Sequence, residues 1–221
     1  MTRTGVINWL LKPLLAMLLL VPLGLLVLDA TRDALGANPV ETIIHQTGLW
    51  ALRLLLLTLA ITPLCQVTGI SDWVRFRRLI GLLSFLYALL HFSTYAVLDQ
   101  GLDLGEILTD VLKRPYITLG FATFLLLIPL AATSHNRIIR WLGGRRWKRL
   151  HRLVYIAGLG GALHYLWLVR ADVLPPLLYL GLFLGLMLFR IPAAIRSGLM
   201  YRLRKISPFQ RHHHFHEEEP S

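Results

Sequence analysis

The feature that most constrains this sequence is a series of six long apolar runs. Each run has about 17 to 20 residues, enough for an α-helix to cross the roughly 30 Å hydrocarbon core of a membrane. The 221 residues are 55% hydrophobic and only 16% charged, which is more apolar than a soluble domain of this length requires. The runs cover residues 10–28, 48–65, 79–98, 116–133, 150–169 and 174–189. The sequence therefore predicts an all-α membrane protein, a bundle of six transmembrane helices.

The basic residues are distributed unevenly between the loops. The N-terminus, the loop before the third run, the loop before the fifth run and the C-terminal tail hold 18 of the 23 Lys and Arg residues, and the other three loops hold four. Those three loops carry eight of the twelve acidic residues. Because Lys and Arg accumulate on the cytoplasmic side of short loops, both termini are predicted to be cytoplasmic, in a bacterial inner membrane. Sorted in this way, the net charge of +11 indicates topology and attraction to anionic lipids, and not nucleic-acid binding.

The chain has few means of holding a metal or a nucleotide. Cys65 is the only cysteine, so an internal disulfide, a cysteine-ligated iron-sulfur cluster and a covalent haem attachment motif are excluded. No loop is long enough for a nucleotide-binding domain, and no glycine-rich fingerprint follows a strand. One domain is predicted over residues 1–205, with a polar, disordered tail at 206–221. Any metal must be held by histidine.

Histidines inside the predicted spans are the strongest candidates for function, because an ionisable side chain is costly in the bilayer. His91 lies in the third span and His164 in the fifth, and these spans run in the same direction. From the helical rise of 1.5 Å per residue, both histidines lie roughly 18 to 21 Å above the cytoplasmic edge. They are expected to face each other. Two imidazoles at one depth can supply both axial ligands of a haem, whereas a proton relay and ordinary packed histidines are the alternatives.

His151 opens the fifth span, about 20 Å below His164. Thirteen residues turn an ideal helix by about 1300°, so the two side chains differ by roughly 140° in azimuth. They are expected to serve separate haems unless the helix bends. Gly158, Gly160 and Gly161 lie between them, and their missing side chains allow a bend, the approach of a flat macrocycle or tight helix packing.

Several sequence blocks together resemble a known family. The segment 145–155, RRWKRLHRLVY, followed by His164 and Tyr165, resembles the MsrQ family, also called YedZ, whose relatives are the transmembrane domains of ferric reductases and NADPH oxidases. The segments 45–48, 62–64 and 77–82, the last leading to His91, fit the same pattern. The resemblance runs from about Trp9 to Pro208, and the fifth span with its two histidines is its most specific part.

The resemblance implies a function in electron transfer. It implies haem b, one or two groups, admits FMN as a further cofactor, and implies a periplasmic molybdopterin enzyme that reduces methionine sulfoxide in proteins. The chain would pass electrons to that enzyme from the quinone pool, a flavin or a cytoplasmic reductase, so the chain itself is expected to have no catalytic residue. The alternatives are a proton-coupled small-molecule transporter, a structural anchor, and a haem reductase acting directly on an extracytoplasmic acceptor such as ferric iron.

The family pattern places the metal ligands at His91, His151 and His164. The wider family usually has a second histidine on the third span, one haem spacing below the first. This chain has Arg77 or Arg78 at that position, so His151 has no evident partner. His135, which follows the fourth span, is a candidate substitute, and a solvated loop histidine is the alternative.

Four other residues are candidate cofactor contacts. Arg77 and Arg78 could each neutralise a haem propionate or anchor the third span at the cytoplasmic face. Arg53 lies within the second span, roughly 9 Å from the periplasmic edge, where a propionate or the headgroups would satisfy its charge. His45 lies just outside that span, where it could contact a propionate or a docking partner, and a plain interfacial histidine is the alternative.

Overall fold

The structure is a computed structural model that describes residues 3–190. Within this range every regular element is helical, so the predicted all-α fold class is confirmed. The tail predicted at 206–221 lies outside the described residues, as do the two ends of the predicted domain.

The described chain is an ordered series of helices with short connections. In chain order these are α1 (Arg3–Val6), a π-helical segment (Ile7–Leu11), α2 (Lys12–Thr31), α3 (Pro39–Thr68), a 3₁₀ segment (Ser71–Phe76), α4 (Arg77–Thr94), a second π-helical segment (Tyr95–Asp99), α5 (Leu104–Lys113), α6 (Pro115–Ala132), α7 (Asn136–Leu142), α8 (Gly144–Leu150), α9 (Leu153–Leu168) and α10 (Leu174–Leu188). Most of the connections between helices are loops or turns of a few residues.

Within residues 3–190, four continuous helical stretches are long and apolar enough to cross a membrane, which makes this a multi-pass membrane protein. They are Thr4–Thr31, Pro39–Thr68, Ser71–Asp99 and Pro115–Ala132, and they correspond to the first four predicted spans. The fifth and sixth predicted spans correspond to α9, with 16 residues, and α10, with 15. At 1.5 Å per residue these helices are only about 22 to 24 Å long. The count of six spans therefore stays a prediction.

Local sequence determines where helices α3 and α5 begin and where α3 ends. The Asn38 side chain accepts a hydrogen bond from the backbone N–H of Glu41 at 3.3 Å and donates to its carboxylate at 3.0 Å, which is a reciprocal cap at the start of α3. Gly69, with φ of 70°, ends the same helix in the left-handed conformation that glycine adopts without strain. Asp103 caps α5 by accepting hydrogen bonds from its first turn.

Helix α3 lies at the centre of the bundle. Leu54 belongs to a buried cluster with Tyr87 of α4, whereas Leu56 and Leu59 belong to another with Phe183 of α10. Between membrane helices such contacts stabilise the bundle through van der Waals packing, because lipid is as apolar as leucine. Helices α6 and α9 pack against each other, and together with α3 and α4 they enclose the interior described below.

Hydrogen bonds attach the first span to this bundle at two places. The hydroxyl of Tyr87 in α4 donates to the backbone carbonyl of Leu19 in α2 at 2.9 Å, and Tyr87 is fully buried. Near the beginning of the first span, the guanidinium of Arg75 donates to the hydroxyl of Thr4 at 3.2 Å. Most of the large side chains of α2 face outward, as expected for a helix that meets lipid on several sides.

A proline in α3 leaves one backbone carbonyl without its helical donor. Pro63 has no N–H, so the carbonyl of Leu59 cannot make its usual hydrogen bond four residues ahead. The guanidinium of Arg190, just after α10, donates to this carbonyl, and also to the carbonyl of Leu186 at 3.2 Å. Its charged end lies 5.3 Å from the ring centroid of Tyr155. Arg190 thus joins α10 to α3 where hydrocarbon would otherwise leave a polar group unsatisfied.

The glycines of α9 pack against neighbouring helices. A Cβ atom on Gly158 would lie 2.9 Å from the ring of Phe183, and one on Gly160 would collide with the side chain of Thr123 in α6. Tight helix packing, and not a bend, therefore explains these two residues. The helical path is instead interrupted earlier, because α8 ends at Leu150 and α9 begins at Leu153. The rotation of 140° expected for an unbroken helix from His151 onward does not apply.

Candidate metal centre

Two half-buried histidines meet in the interior of the bundle. The rings of His91, from α4, and His164, from α9, have centroids 6.1 Å apart and planes inclined by 75°. The depth argument from sequence predicted that these side chains would face each other, and the structure brings them together.

The Nδ1 atom of each ring is hydrogen-bonded to a backbone carbonyl of another helix. Nδ1 of His91 lies 2.8 Å from the carbonyl oxygen of Ile44 in α3, and Nδ1 of His164 lies 2.7 Å from that of Tyr116 in α6. A carbonyl oxygen can only accept, so each Nδ1 carries the hydrogen and donates. The hydrogen bonds therefore assign the tautomer, in which Nε2 keeps a free lone pair. This is the arrangement that orients an imidazole for metal binding.

The separation of the two rings fits a single metal ion between them. With metal–nitrogen bonds of about 2.0 Å, as for other imidazole-bound metals, two imidazoles on opposite sides of an ion have centroids roughly 6 Å apart. The observed value is 6.1 Å. The described residues contain no group of three or more His, Cys, Asp or Glu side chains that could hold an ion, so the two imidazoles would be its only protein ligands here.

A cavity of about 620 Å³ surrounds the two histidines. Its size lies within the range of cofactor sites. Aromatic side chains form part of its wall, where Phe92 and Phe124 stack with centroids 4.8 Å apart. Polar and charged side chains lie among its lining residues at the end of the bundle where α3 and α6 begin, and these are Asn38, Glu41, His45, Asp99 and Arg114. The interior is therefore apolar at the rings' level and polar at one end.

Arg114 is a cavity residue that sequence reasoning missed. Its Nε lies 3.3 Å from a carboxylate oxygen of Asp110, whose other oxygen accepts from the Tyr95 hydroxyl at 3.4 Å. Hydrogen bonding with Tyr116 and the charge of Asp110 raise the pKa of Arg114, which stays charged. The sequence feature that could have identified it is a basic residue directly before α6, in a group of loops that carries mainly acidic residues.

The four residues predicted to contact a cofactor lie in different parts of the structure. His45 lines the cavity. Arg53 does not, because its Nε donates to the hydroxyl of Tyr179 at 2.8 Å and its charge lies 4.9 Å from the ring centroid of Trp50. At the other end of the bundle Arg77 donates to the Thr62 hydroxyl at 2.5 Å, and Arg78 is exposed. Cofactor contacts by Arg53, Arg77 and Arg78 stay predictions.

His151 lies in the turn between α8 and α9, apart from the pair. Its ring stacks on Trp147 with centroids 4.0 Å apart, and its Nδ1 lies 3.2 Å from the Trp147 carbonyl. Its Nε2 is buried without a hydrogen bond. His135, the proposed substitute partner, is exposed and caps α7 by accepting from the backbone N–H of Arg137 at 3.3 Å. The interpretation of His135 as a surface loop residue therefore fits better than ligation.

Comparison with known proteins identifies the family. The family described as "Ferric reductase like transmembrane component" matches residues 47–162. A protein of Brucella anthropi named protein-methionine-sulfoxide reductase heme-binding subunit MsrQ is 52% identical over 157 residues, which cover 71% of this chain and 70% of that relative. Proteins of the same name from Brucella ovis and Brucella canis are 53% identical over 157 residues, with the same coverage. The chain therefore belongs to the MsrQ family of ferric reductase-like transmembrane proteins.

Proposed function

We propose that this chain is a haem b membrane subunit that carries electrons to a periplasmic protein-methionine-sulfoxide reductase. The observation that carries the proposal is the pair His91 and His164, with centroids 6.1 Å apart inside a cavity of about 620 Å³. The names of the Brucella relatives, which describe a heme-binding subunit of such a reductase, support both the cofactor and the partner.

The residues of the cavity divide the work of holding the cofactor. His91 and His164 would hold the haem iron through their Nε2 atoms, and the carbonyls of Ile44 and Tyr116 keep both rings in the binding tautomer. Arg114 and His45 are basic groups of the lining, suited to the carboxylates of a haem. When bound, haem would supply one-electron transfer, and ligation by both imidazoles would favour electron transfer over oxygen binding.

The route of the electrons follows from the predicted topology. Six spans with both termini in the cytoplasm of a bacterial inner membrane put the histidine pair in the outer half of the bilayer and His151 near the cytoplasmic face. His151 would then serve a second haem or a bound flavin, FMN, on the donor side. The donor is the quinone pool, a flavin or a cytoplasmic reductase, and the acceptor is a molybdopterin enzyme that performs the reduction.

The absorption spectrum of the purified protein tests the cofactor directly. We expect the reduced-minus-oxidised spectrum of a low-spin haem, because two nitrogen ligands complete the iron coordination. Haem quantified per chain would give one if only the histidine pair binds and two if His151 holds another. A colourless protein, purified from cells that make haem and supply it to other cytochromes, would contradict the proposal.

The same preparation distinguishes a second candidate function. A haem reductase that acts directly on ferric iron is favoured by the family match over residues 47–162, whose description names ferric reductases. After chemical reduction, rapid reoxidation by a ferric chelate without any partner would favour this candidate. Reoxidation that requires the methionine sulfoxide reductase would favour delivery to a partner.

The predicted orientation has its own test. Because 18 basic residues fall on one set of loops and four on the other, we expect both ends of the chain in the cytoplasm. A fluorescent reporter that matures only in the cytoplasm should be active when fused after Ser221, and alkaline phosphatase at the same position should be inactive. Insertion of alkaline phosphatase in the loop between α2 and α3 is the control and should give activity. The opposite pattern would reverse the orientation and the proposed direction of electron flow.

A further inference from the structure

The two histidine rings lie against helices α3 and α6, and the contact surface has the same local arrangement on both helices. In α3 the accepting carbonyl belongs to Ile44, and Gly48 follows four residues later. In α6 the carbonyl belongs to Tyr116, and Gly120 follows at the same interval. Residues four apart lie one above the other on a helix face, so each carbonyl and its glycine form one surface. Each imidazole rests on such a surface.

The glycines leave room only for a ring that lies directly on the helix. A Cβ atom on Gly48 would lie 2.8 Å from Nδ1 and 2.9 Å from Cε1 of His91. A Cβ atom on Gly120 would lie 2.7 Å from the same two atoms of His164. These distances are well inside ordinary van der Waals contact, which for carbon begins at about 3.5 Å. Any side chain at either position would push Nδ1 away from its carbonyl.

Helix packing does not account for these two positions. For Gly48 and for Gly120, the three nearest atoms to the added Cβ all belong to the histidine ring. The neighbours of Gly158 are instead packed hydrophobic side chains, Phe183 and Leu59. Glycine inside a helix costs stability relative to alanine. At Gly48 and Gly120 the contact that explains the use of glycine is the one with the imidazole ring.

We propose that Gly48 and Gly120 are positioning residues that determine the coordination of the metal centre. They allow each Nδ1 to reach its carbonyl, which leaves Nε2 of His91 and of His164 free for the proposed metal. The inference rests on the proposed haem function for its consequence, but the ring placement itself can be measured without haem. Gly48 acts on His91 alone and Gly120 on His164 alone, so either substitution disturbs one ligand.

Substitution of each glycine by alanine tests the assignment. In Gly48→Ala and Gly120→Ala we expect the low-spin spectrum to shift toward high spin and haem affinity to fall by roughly 10- to 100-fold, as for other losses of ligand orientation. Helix content and elution volume should stay unchanged, because the cavity gives the displaced ring room. Gly81→Ala and Gly181→Ala are matched controls, since a Cβ meets its nearest neighbour at 3.6 Å in the first and nothing within 4 Å in the second. Both controls should keep the spectrum and affinity.

A second measurement separates this inference from the haem proposal. In haem-free protein with ¹⁵N-labelled histidine, the Nδ1 signal of His91 should lose its hydrogen-bond shift in Gly48→Ala and keep it in Gly120→Ala, with the reverse pattern for His164. Unchanged Nδ1 signals together with an unchanged spectrum would overturn the inference. Loss of helical structure in either variant would also overturn it, because the ring would then not be the element that yields. A wild-type protein without haem would refute the proposed function while leaving the NMR result to decide the placement.

Discussion

His91→Ala or His164→Ala is expected to abolish the low-spin spectrum of the haem held by the histidine pair. The structure gives the site two imidazoles whose Nε2 atoms are free, and the described residues contain no group of three or more side chains that could hold a metal ion. Loss of the groups that only orient a ligand lowers metal affinity by about 10- to 100-fold, and loss of the ligand itself should do at least as much. The readouts are haem per chain, the reduced spectrum and electron delivery to the partner.

His151→Ala is the matched control for these two variants. Its ring stacks on Trp147 in the turn before α9, so its removal should leave the spectrum of the histidine pair in place and affect only a second, donor-side group. A His91→Ala protein with unchanged haem content, spectrum and electron delivery would contradict the assignment of the pair. Loss of the same signal in all three variants would contradict the separation into two sites.

Arg190→Ala is expected to lower the free energy of unfolding by about 2 kcal/mol. The guanidinium donates to the carbonyl of Leu59 that Pro63 leaves without a helical donor, and hydrogen bonds to charged groups contribute about 1.5 to 3 kcal/mol. Titration with SDS in mixed micelles, followed by helix content, measures the change. Arg78→Ala is the control, because Arg78 is exposed near the same face, and it should change stability by less than about 0.5 kcal/mol.

A double-mutant cycle shows whether Pro63 is the cause. Pro63→Ala restores a backbone N–H that can bond the carbonyl of Leu59, so Arg190→Ala should cost much less in that background. We expect a coupling free energy of about 1 kcal/mol or more between the two positions. Additive costs would mean that Arg190 stabilises the bundle through another contact, such as the ring of Tyr155.

Sequence reasoning located the elements and the histidine pair because both depend on quantities that a single helix fixes. Apolar length marks α2, α3, α4 and α6, and the helical rise gives the depth of His91 and His164. The depth of each histidine does not determine whether the face of α4 that carries His91 points toward the face of α9 that carries His164. Their contact depends on how both helices pack against their neighbours, which could only be expected from sequence.

The contacts that could not be predicted depend on the register between helices. The sequence does not say which backbone carbonyl will lie opposite a given ring, so Ile44 and Tyr116 were missed, and with them the meaning of Gly48 and Gly120. Arg53 was expected to contact a cofactor, but its side chain donates a hydrogen bond to Tyr179 in α10, which lies 126 residues later in the chain. Such pairings follow from how far one helix is shifted along another, and a sequence pattern within one helix does not encode that shift.

The hydrogen bonds from the two Nδ1 atoms have a consequence for charge balance. With Nδ1 given to a carbonyl and Nε2 to the proposed metal, neither His91 nor His164 has a nitrogen left to take up or release a proton. Electrons would therefore pass through the centre alone. Moving one elementary charge across a full membrane potential involves about 2.3 kcal/mol per 100 mV. With the cytoplasm negative, outward electron flow runs down that field, so the membrane potential would drive each transfer and be partly dissipated by it.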